Sequence, residues 1–206
     1  VGLRIPAQPM ALALINEFKK LGGRGIAAPS ANRFGKVSPT TAEAVSEELL
    51  PYLKLKEDRI LDGGPCSVGI ESTIINCTNQ NPEILRFGFI TREMIEHSVG
   101  SAVSSRDSKI RVPGSLKSHY SPKAKVLLNQ NPTEGSGFIA LSNIPTPEGC
   151  FRLASPKNSV EYAQILYEAL RLADRVGLSK LFAFSPDSDE LGLAIIDRLQ
   201  RAAHNL

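Results

Sequence analysis

Tryptophan is absent from the 206-residue chain, aromatic residues make up only 6% of it, and methionine occurs twice. No run approaches the roughly 20 apolar residues that a membrane-spanning helix requires, and the N-terminus shows no basic-then-apolar leader, so the cytosol is the expected address. Cysteine is sparse as well: Cys66, Cys77 and Cys150 are odd in number and form no C-x-x-C pair. Neither a disulfide framework nor a zinc site is therefore expected, and the three are read as free thiols. Cys66 sits among glycines but has no histidine near it in sequence, and an inert small residue is the expected reading there. His97, His119 and His204 are scattered, and H-E-x-x-H, G-x-S-x-G, G-x-x-x-x-G-K-[ST] and a strand-linked G-x-G-x-x-G are all missing. Those absences exclude the usual metalloprotease, serine-hydrolase, P-loop and dinucleotide-binding readings.

What is present is ordinary globular material, with 42% apolar and 22% charged residues. The net charge of +3 is too small to argue for nucleic acid by itself. Its distribution is uneven: up to Ala124 there are 16 basic against 12 acidic residues, and from Lys125 onward 8 against 9. From Ser101 to Lys125, Arg106, Lys109, Arg111, Lys117, Lys123 and Lys125 face Asp107 alone. Such a strap suits phosphate groups, or it is a solvated linker that its lysines keep soluble.

Periodicity divides the chain. Val1 to Ile5 alternates like a strand, and Pro9 to Leu21 has helical spacing that stops at Gly22-Gly23. A short strand is expected at Ile26 to Ala28. A capping box of Thr40 with Glu43 then opens a helix over Ala42 to Leu50. After the turn Asp62-Gly-Gly-Pro65 come strands at Val68 to Ile75 and Ile84 to Arg86, then a helix capped by Thr91. Beyond a Ser-rich linker the pattern restarts with strands at 126–128, 138–141, 151–153 and 181–184. Helices over 160–176 and 191–203 go with them, a compact α/β unit of its own. The face Tyr162, Ile165, Leu166, Ala169, Leu172, Ala173 reads as core.

Polar residues cluster after the short strands, where α/β sheets present their ligand loops. Ser30 and Asn32, two apart, can face one ligand beside small alanines, or they act locally as turn formers. Ser38 precedes the capped helix, a place that attracts phosphate oxygens, or it is a plain turn residue. Glu71, Ser72 and Thr73 lie in an apolar stretch where unpaired polar groups would be costly, and Arg86 stands at a strand end beside Gly88. Arg86 can reach an anion there, or form a surface salt bridge of little worth.

Taken in order, Val1-Gly-Leu-Arg-Ile-Pro6, Ala28-Pro-Ser-Ala-Asn32 with Gly35 and Ser38-Pro-Thr40, Asp62-Gly-Gly-Pro-Cys66 with Gly69 and Glu71-Ser-Thr73, and Leu85-Arg86 with Gly88 resemble the YrdC-like domain. Pro113-Gly114 and His119-Tyr-Ser-Pro122 resemble the linker of the long, two-domain form of the threonylcarbamoyl-AMP synthases. The resemblance implies an α/β fold: part of a YrdC-like twisted mixed sheet over 1–99, a basic linker or lid over 100–123, and a small Rossmann-like α/β domain over 124–206. It implies a nucleotidyltransferase that condenses L-threonine, bicarbonate and ATP, with Mg2+ accompanying the nucleotide, into threonylcarbamoyl-AMP and pyrophosphate. A downstream threonylcarbamoyl transferase complex would place the group on adenosine 37 of tRNA, with possible contact to tRNA or double-stranded RNA.

By that match Arg4 and Ser72 would hold threonine, while Ala28 (through its backbone), Ser30, Asn32, Ser38, Arg86 and Tyr120 would line the ATP site. Tyr120 would act as a lid. No protein nucleophile is implied, since positioning and charge neutralisation suffice. The family's leading segment with its K-x-R pair has no counterpart here, and Phe34 stands where Ser is common. Little synthase activity is therefore expected of this chain alone. Two alternatives remain: an RNA-binding module without catalysis, disfavoured by the lack of interleaved aromatics, and a carbamoyl-adenylate relative from hydrogenase maturation, disfavoured by His119-Tyr120.

Overall fold

The computed structural model describes residues 2–28, 30–54, 56–105, 110, 112–114 and 119–204. Arg106, Lys109, Arg111 and Lys117 of the basic strap lie outside them. The chain divides into two compact units, residues 1–33 with 39–65, and residues 34–38 with 66–206.

The first unit holds α1 (Pro9–Lys20), α2 (Ala42–Leu49) and a single 3-10 turn at Leu50–Tyr52. Pro9 opens α1 where its missing N–H costs nothing, and the Gln8 side chain accepts from Ala11 N at 2.6 Å. None of the residues of α1 is buried, and Met10, Leu12, Leu14 and Phe18 are all partly exposed. The cap of α2 is Thr41, whose hydroxyl accepts from Ala44 N at 3.1 Å, and not Thr40 as the capping-box spacing suggests. Thr41 carries the same hydroxyl one residue later, so spacing alone could not separate the two. Residues 2–5 and 26–28 form no strand. Alternation and short apolar runs need a partner strand to become sheet, and none of the described residues in this unit supplies one.

The second unit contains two sheets. In the first, β1 (Ile74–Asn76), β2 (Glu83–Arg86) and β3 (Ser104–Ser105) lie in that order, β1 antiparallel and β3 parallel to β2. The strand expected over 68–75 is thus confined to its last residues, because Gly69 and the segment after it pack onto a helix instead. The helix α3 (Arg92–Val99) is capped by Thr91 as expected and ends on Gly100 at φ 70°. Its Ile95 joins Ile84, Val103 and Phe87 in a small core.

The second sheet is parallel, with β4 (Lys125–Leu128), β5 (Gly137–Ile139), β6 (Phe151–Ala154) and β7 (Lys180–Ala183) in the order β4-β7-β5-β6. Successive strand side chains point to opposite faces. Val126, Ile139, Leu181 and Ala183 meet the helices α4 (Ser159–Arg175) and α5 (Glu190–Ala203) in the main core, while Phe138, Ala140 and Phe182 form a separate cluster with Leu127, Ile144 and Phe184. Arg152 ties the strand ends together. Its guanidinium donates to the carbonyls of Ala140, Leu141, Ile144 and Ala154 at 2.6 to 2.9 Å and lies 5.0 Å from the centre of the Phe138 ring. The fold class is therefore mixed α/β, a mixed sheet followed by a parallel α/β layer, as the sequence implies. No helix among the described residues is long and apolar enough to cross a membrane.

Candidate functional site

The expected site residues fall into both units. Arg4, Ala28 and Ser30 are exposed in the first unit, where Asn32 donates from Nδ2 to its neighbour Arg33 O at 3.0 Å. Ser38, Ser72, Arg86 and Tyr120 belong to the second unit, and contacts link them there.

Glu71 is the hub of those contacts. Ser38 Oγ donates to Glu71 Oε1 at 2.7 Å, and Tyr167 Oη, from α4, donates to Oε2 at 2.7 Å. Arg198, from α5, brings Nε to 3.3 Å of the same Oε2, with its own side chain only 1% exposed and that of Glu71 18% exposed. Burial alone would raise the Glu71 carboxyl. The Arg198 charge and the hydrogen bonds from Ser38 and Tyr167 outweigh it and hold the group below the usual carboxylate value. Burial works against the Arg198 charge too, but Tyr167 and Glu71 keep its guanidinium above the ordinary arginine value. Burial, with Glu71 beside it, also pushes Tyr167 well above the ordinary phenol, so it stays a neutral donor.

Directly after Glu71, the Ser72 carbonyl accepts from Arg86 Nε at 3.1 Å and Nη2 at 2.7 Å, and Arg86 Nη1 donates to Pro113 O at 2.8 Å. Arg86 is 7% exposed, and desolvation pulls its guanidinium below the ordinary arginine value. Three of its five N–H groups are used, leaving two without a partner among the described residues. Gly88 allows this arrangement, since a side chain there would strike the backbone of residues 71–73. Gly114 stands at φ 81°, and a Cβ on it would collide with Tyr120 Oη and come within 3.4 Å of Arg86 Nη1. Tyr120 therefore lies beside Arg86.

Tyr120 is 1% exposed and holds a left-handed φ of 61°, a conformation that a bulky residue keeps only when its surroundings enforce it. Its ring packs against Tyr167 at 5.4 Å and edge-on to His119 at 4.1 Å, and the next residue, Ser121, donates its N–H to Gly35 O at 3.1 Å. Desolvation, with the Glu71 charge adding to it, pushes the Tyr120 phenol up to about 12.

Sequence reasoning marked Ser38, Ser72, Arg86 and Tyr120 but not the Tyr167 and Arg198 that Glu71 gathers. One signal was available: Arg198 occupies a core-facing position in the apolar series Leu191, Ala194, Ile195, Leu199, Ala202. A cation placed there requires a buried counter-charge. Among the described residues there is no group of three or more His, Cys, Asp or Glu able to hold a metal ion.

Residues 90–204 match the family described as threonylcarbamoyl-AMP synthase, C-terminal domain. The chain belongs to this synthase family. Residues 1–88 match a second family, described as telomere recombination. The threonylcarbamoyl-AMP synthase of Bacillus subtilis is 34% identical over 225 residues, covering 98% of this chain and 63% of that protein. The synthase of Pyrococcus abyssi is 35% identical over 227 residues, covering 98% and 64%. The crystal structure of P. abyssi Sua5 complexed with L-threonine superposes with a TM-score of 0.77 at 33% identity, over 97% of this chain and 63% of that one. The chain thus spans less than two thirds of the length of these synthases. The two matches follow one another along the chain, residues 1–88 and then residues 90–204.

Proposed function

We propose that the chain serves the synthesis of threonylcarbamoyl-AMP from L-threonine, bicarbonate and ATP, the product being destined for a transferase that modifies tRNA. The observation that carries this reading is the alignment of 98% of the chain with synthases at 34 to 35% identity. A relative solved with L-threonine supports threonine as the amino acid. In this reading residues 1–99 contribute to the catalytic domain, 100–123 to a linker that closes over it, and 124–206 form the second domain.

The chemistry asks little of covalent catalysis. The threonine amine takes up the carbon of bicarbonate, losing water, to give a carbamate. One carbamate oxygen then forms a bond to the α-phosphorus of ATP as the bond to pyrophosphate breaks. What the protein must supply is alignment of two anions and compensation of phosphate charge. Arg86 provides a buried cation with two N–H groups that have no partner among the described residues, and Ser72 beside it is assigned to threonine together with Arg4. Ala28, Ser30, Asn32 and Ser38 are assigned to ATP. Tyr120, almost wholly buried beside Arg86, would exclude the water that hydrolyses a labile acyl phosphate. Mg2+ would arrive on the triphosphate.

Calorimetric titration tests the assignment. The chain is expected to bind L-threonine, with binding weakened at least tenfold in the Arg4→Ala and Ser72→Ala variants. Unchanged affinity in both variants would remove those residues from the threonine site.

A further inference from the structure

The reading of Ser38 as an ATP contact leaves open which part of the nucleotide it meets, and the hydrogen bonds around Glu71 decide the polarity it can offer. An ionised carboxylate only accepts. Arg198 cannot be a proton acceptor, and Tyr167 Oη at 2.7 Å from Oε2 is held in its neutral, donating form by burial, so the Oε2 side of Glu71 is filled by donors. At Oε1 the 2.7 Å contact with Ser38 Oγ must then be made with the serine hydrogen, because the carboxylate has none to give. A hydroxyl has one hydrogen and two lone pairs. Once its hydrogen is committed to Glu71, Ser38 faces any ligand as an acceptor.

We infer that Glu71, held by Tyr167 and Arg198, fixes Ser38 as a hydrogen-bond acceptor, so that the ligand group Ser38 meets is a donor, a ribose hydroxyl or the adenine amino group, and not a phosphate oxygen. This rests on the ATP reading above. It also runs against the placement of Ser38 before a helix, which by itself suggests phosphate. Glu71, Tyr167 and Arg198 are then positioning residues: none need touch the ligand, yet they orient the one hydroxyl that does. Because Tyr167 and Arg198 come from α4 and α5, the C-terminal helices would set the nucleotide selectivity of a loop more than 90 residues earlier in the chain.

The test compares ATP with inorganic tripolyphosphate, which carries the phosphates without any donor. In equilibrium titrations Ser38→Ala is expected to weaken ATP binding about 3- to 10-fold, the range a single neutral hydrogen bond spans, and to leave tripolyphosphate affinity unchanged. Titrating 2′-deoxy-ATP, 3′-deoxy-ATP and inosine triphosphate identifies the donor: the analogue that has lost it should bind the unaltered chain and Ser38→Ala equally. Equal weakening of ATP and tripolyphosphate in Ser38→Ala overturns the inference while leaving the ATP site standing. Failure of the unaltered chain to bind ATP overturns the ATP reading and the inference with it. Glu71→Gln, which can turn its amide to donate to Ser38 and so reverse the hydroxyl, should lose ATP affinity and gain tripolyphosphate affinity, whereas Glu71→Asp should restore the preference for ATP. A damaged fold would weaken both ligands together, so this reversal reads positioning and not stability.

Discussion

Arg198 shows how much a single residue can commit. A guanidinium taken out of water costs several kcal/mol unless its charge is met, and at 1% exposure the partner that meets it most directly is Glu71. Replacing it in Arg198→Met would leave the Glu71 carboxylate half-stranded against Tyr167, and breaking such a pair from one side typically costs about 3 to 5 kcal/mol. Urea unfolding near neutral pH should register that loss. The pH dependence follows from the direction of the Glu71 shift. Its folded carboxyl lies below the unfolded value of 4.5, so its contribution to stability is present above 4.5 and is lost as pH falls through the lowered folded value. The acid limb of the stability profile should be shallower in Arg198→Met than in the unaltered chain. An unchanged acid limb would show that Arg198 is not what depresses Glu71.

At the scale of elements, α4 is the one on which most depends. Asn158 caps it by accepting from Glu161 N at 2.9 Å, Tyr162, Leu166, Ala169 and Ala173 bury its inner face, and the 66–70 segment lies against it at Ala163 and Gln164, whose Nε2 donates to Ser67 O at 2.7 Å. Gly69 makes the closest approach. It sits at φ 84°, and a Cβ there would collide with the Ala163 carbonyl and the Gln164 backbone, neither of which can swing aside. Gly69→Ala is expected to cost at least about 2 kcal/mol, from the left-handed backbone plus overpacking, read as a lower thermal midpoint. Loss of only a few tenths would mean that the segment can lift off the helix.

Elements of this kind were legible beforehand where a pattern was long and capped: α4, α5 and the four parallel strands were all expected within a residue or two. The short strand expected over 84–86 formed as well, but other short segments did not. The strands expected over 26–28 and at the start of 68–75 failed because three or four apolar residues carry no information about a partner, and Gly69 gave its stretch to helix packing. Thr41 displaced Thr40 as a cap because both carry the hydroxyl that a cap requires.

For the whole molecule, the second unit brings together residues that are distant along the chain: Ser38, Glu71 with Ser72, Arg86, Pro113, Tyr120, and Tyr167 and Arg198 from two helices. Four of these residues were marked beforehand, Ser38, Ser72 and Arg86 by their places in polar loops and strand ends, and Tyr120 by the family resemblance alone. Glu71 looked like one polar residue among three, and Tyr167 lay outside the apolar face read on its helix. Their roles emerge only when tertiary contacts bring a phenol and a buried arginine within 3.3 Å of one carboxylate oxygen. In the function proposed for the chain, this convergence forms a nucleotide site. Photolabelling with 8-azido-ATP, followed by peptide mapping, examines it most directly. Label should appear in peptides containing Ser38, Ser72, Arg86 or Tyr120 and disappear when unlabelled ATP competes. Competed label confined to peptides that carry none of these residues, nor Ala28, Ser30 or Asn32, would contradict the account.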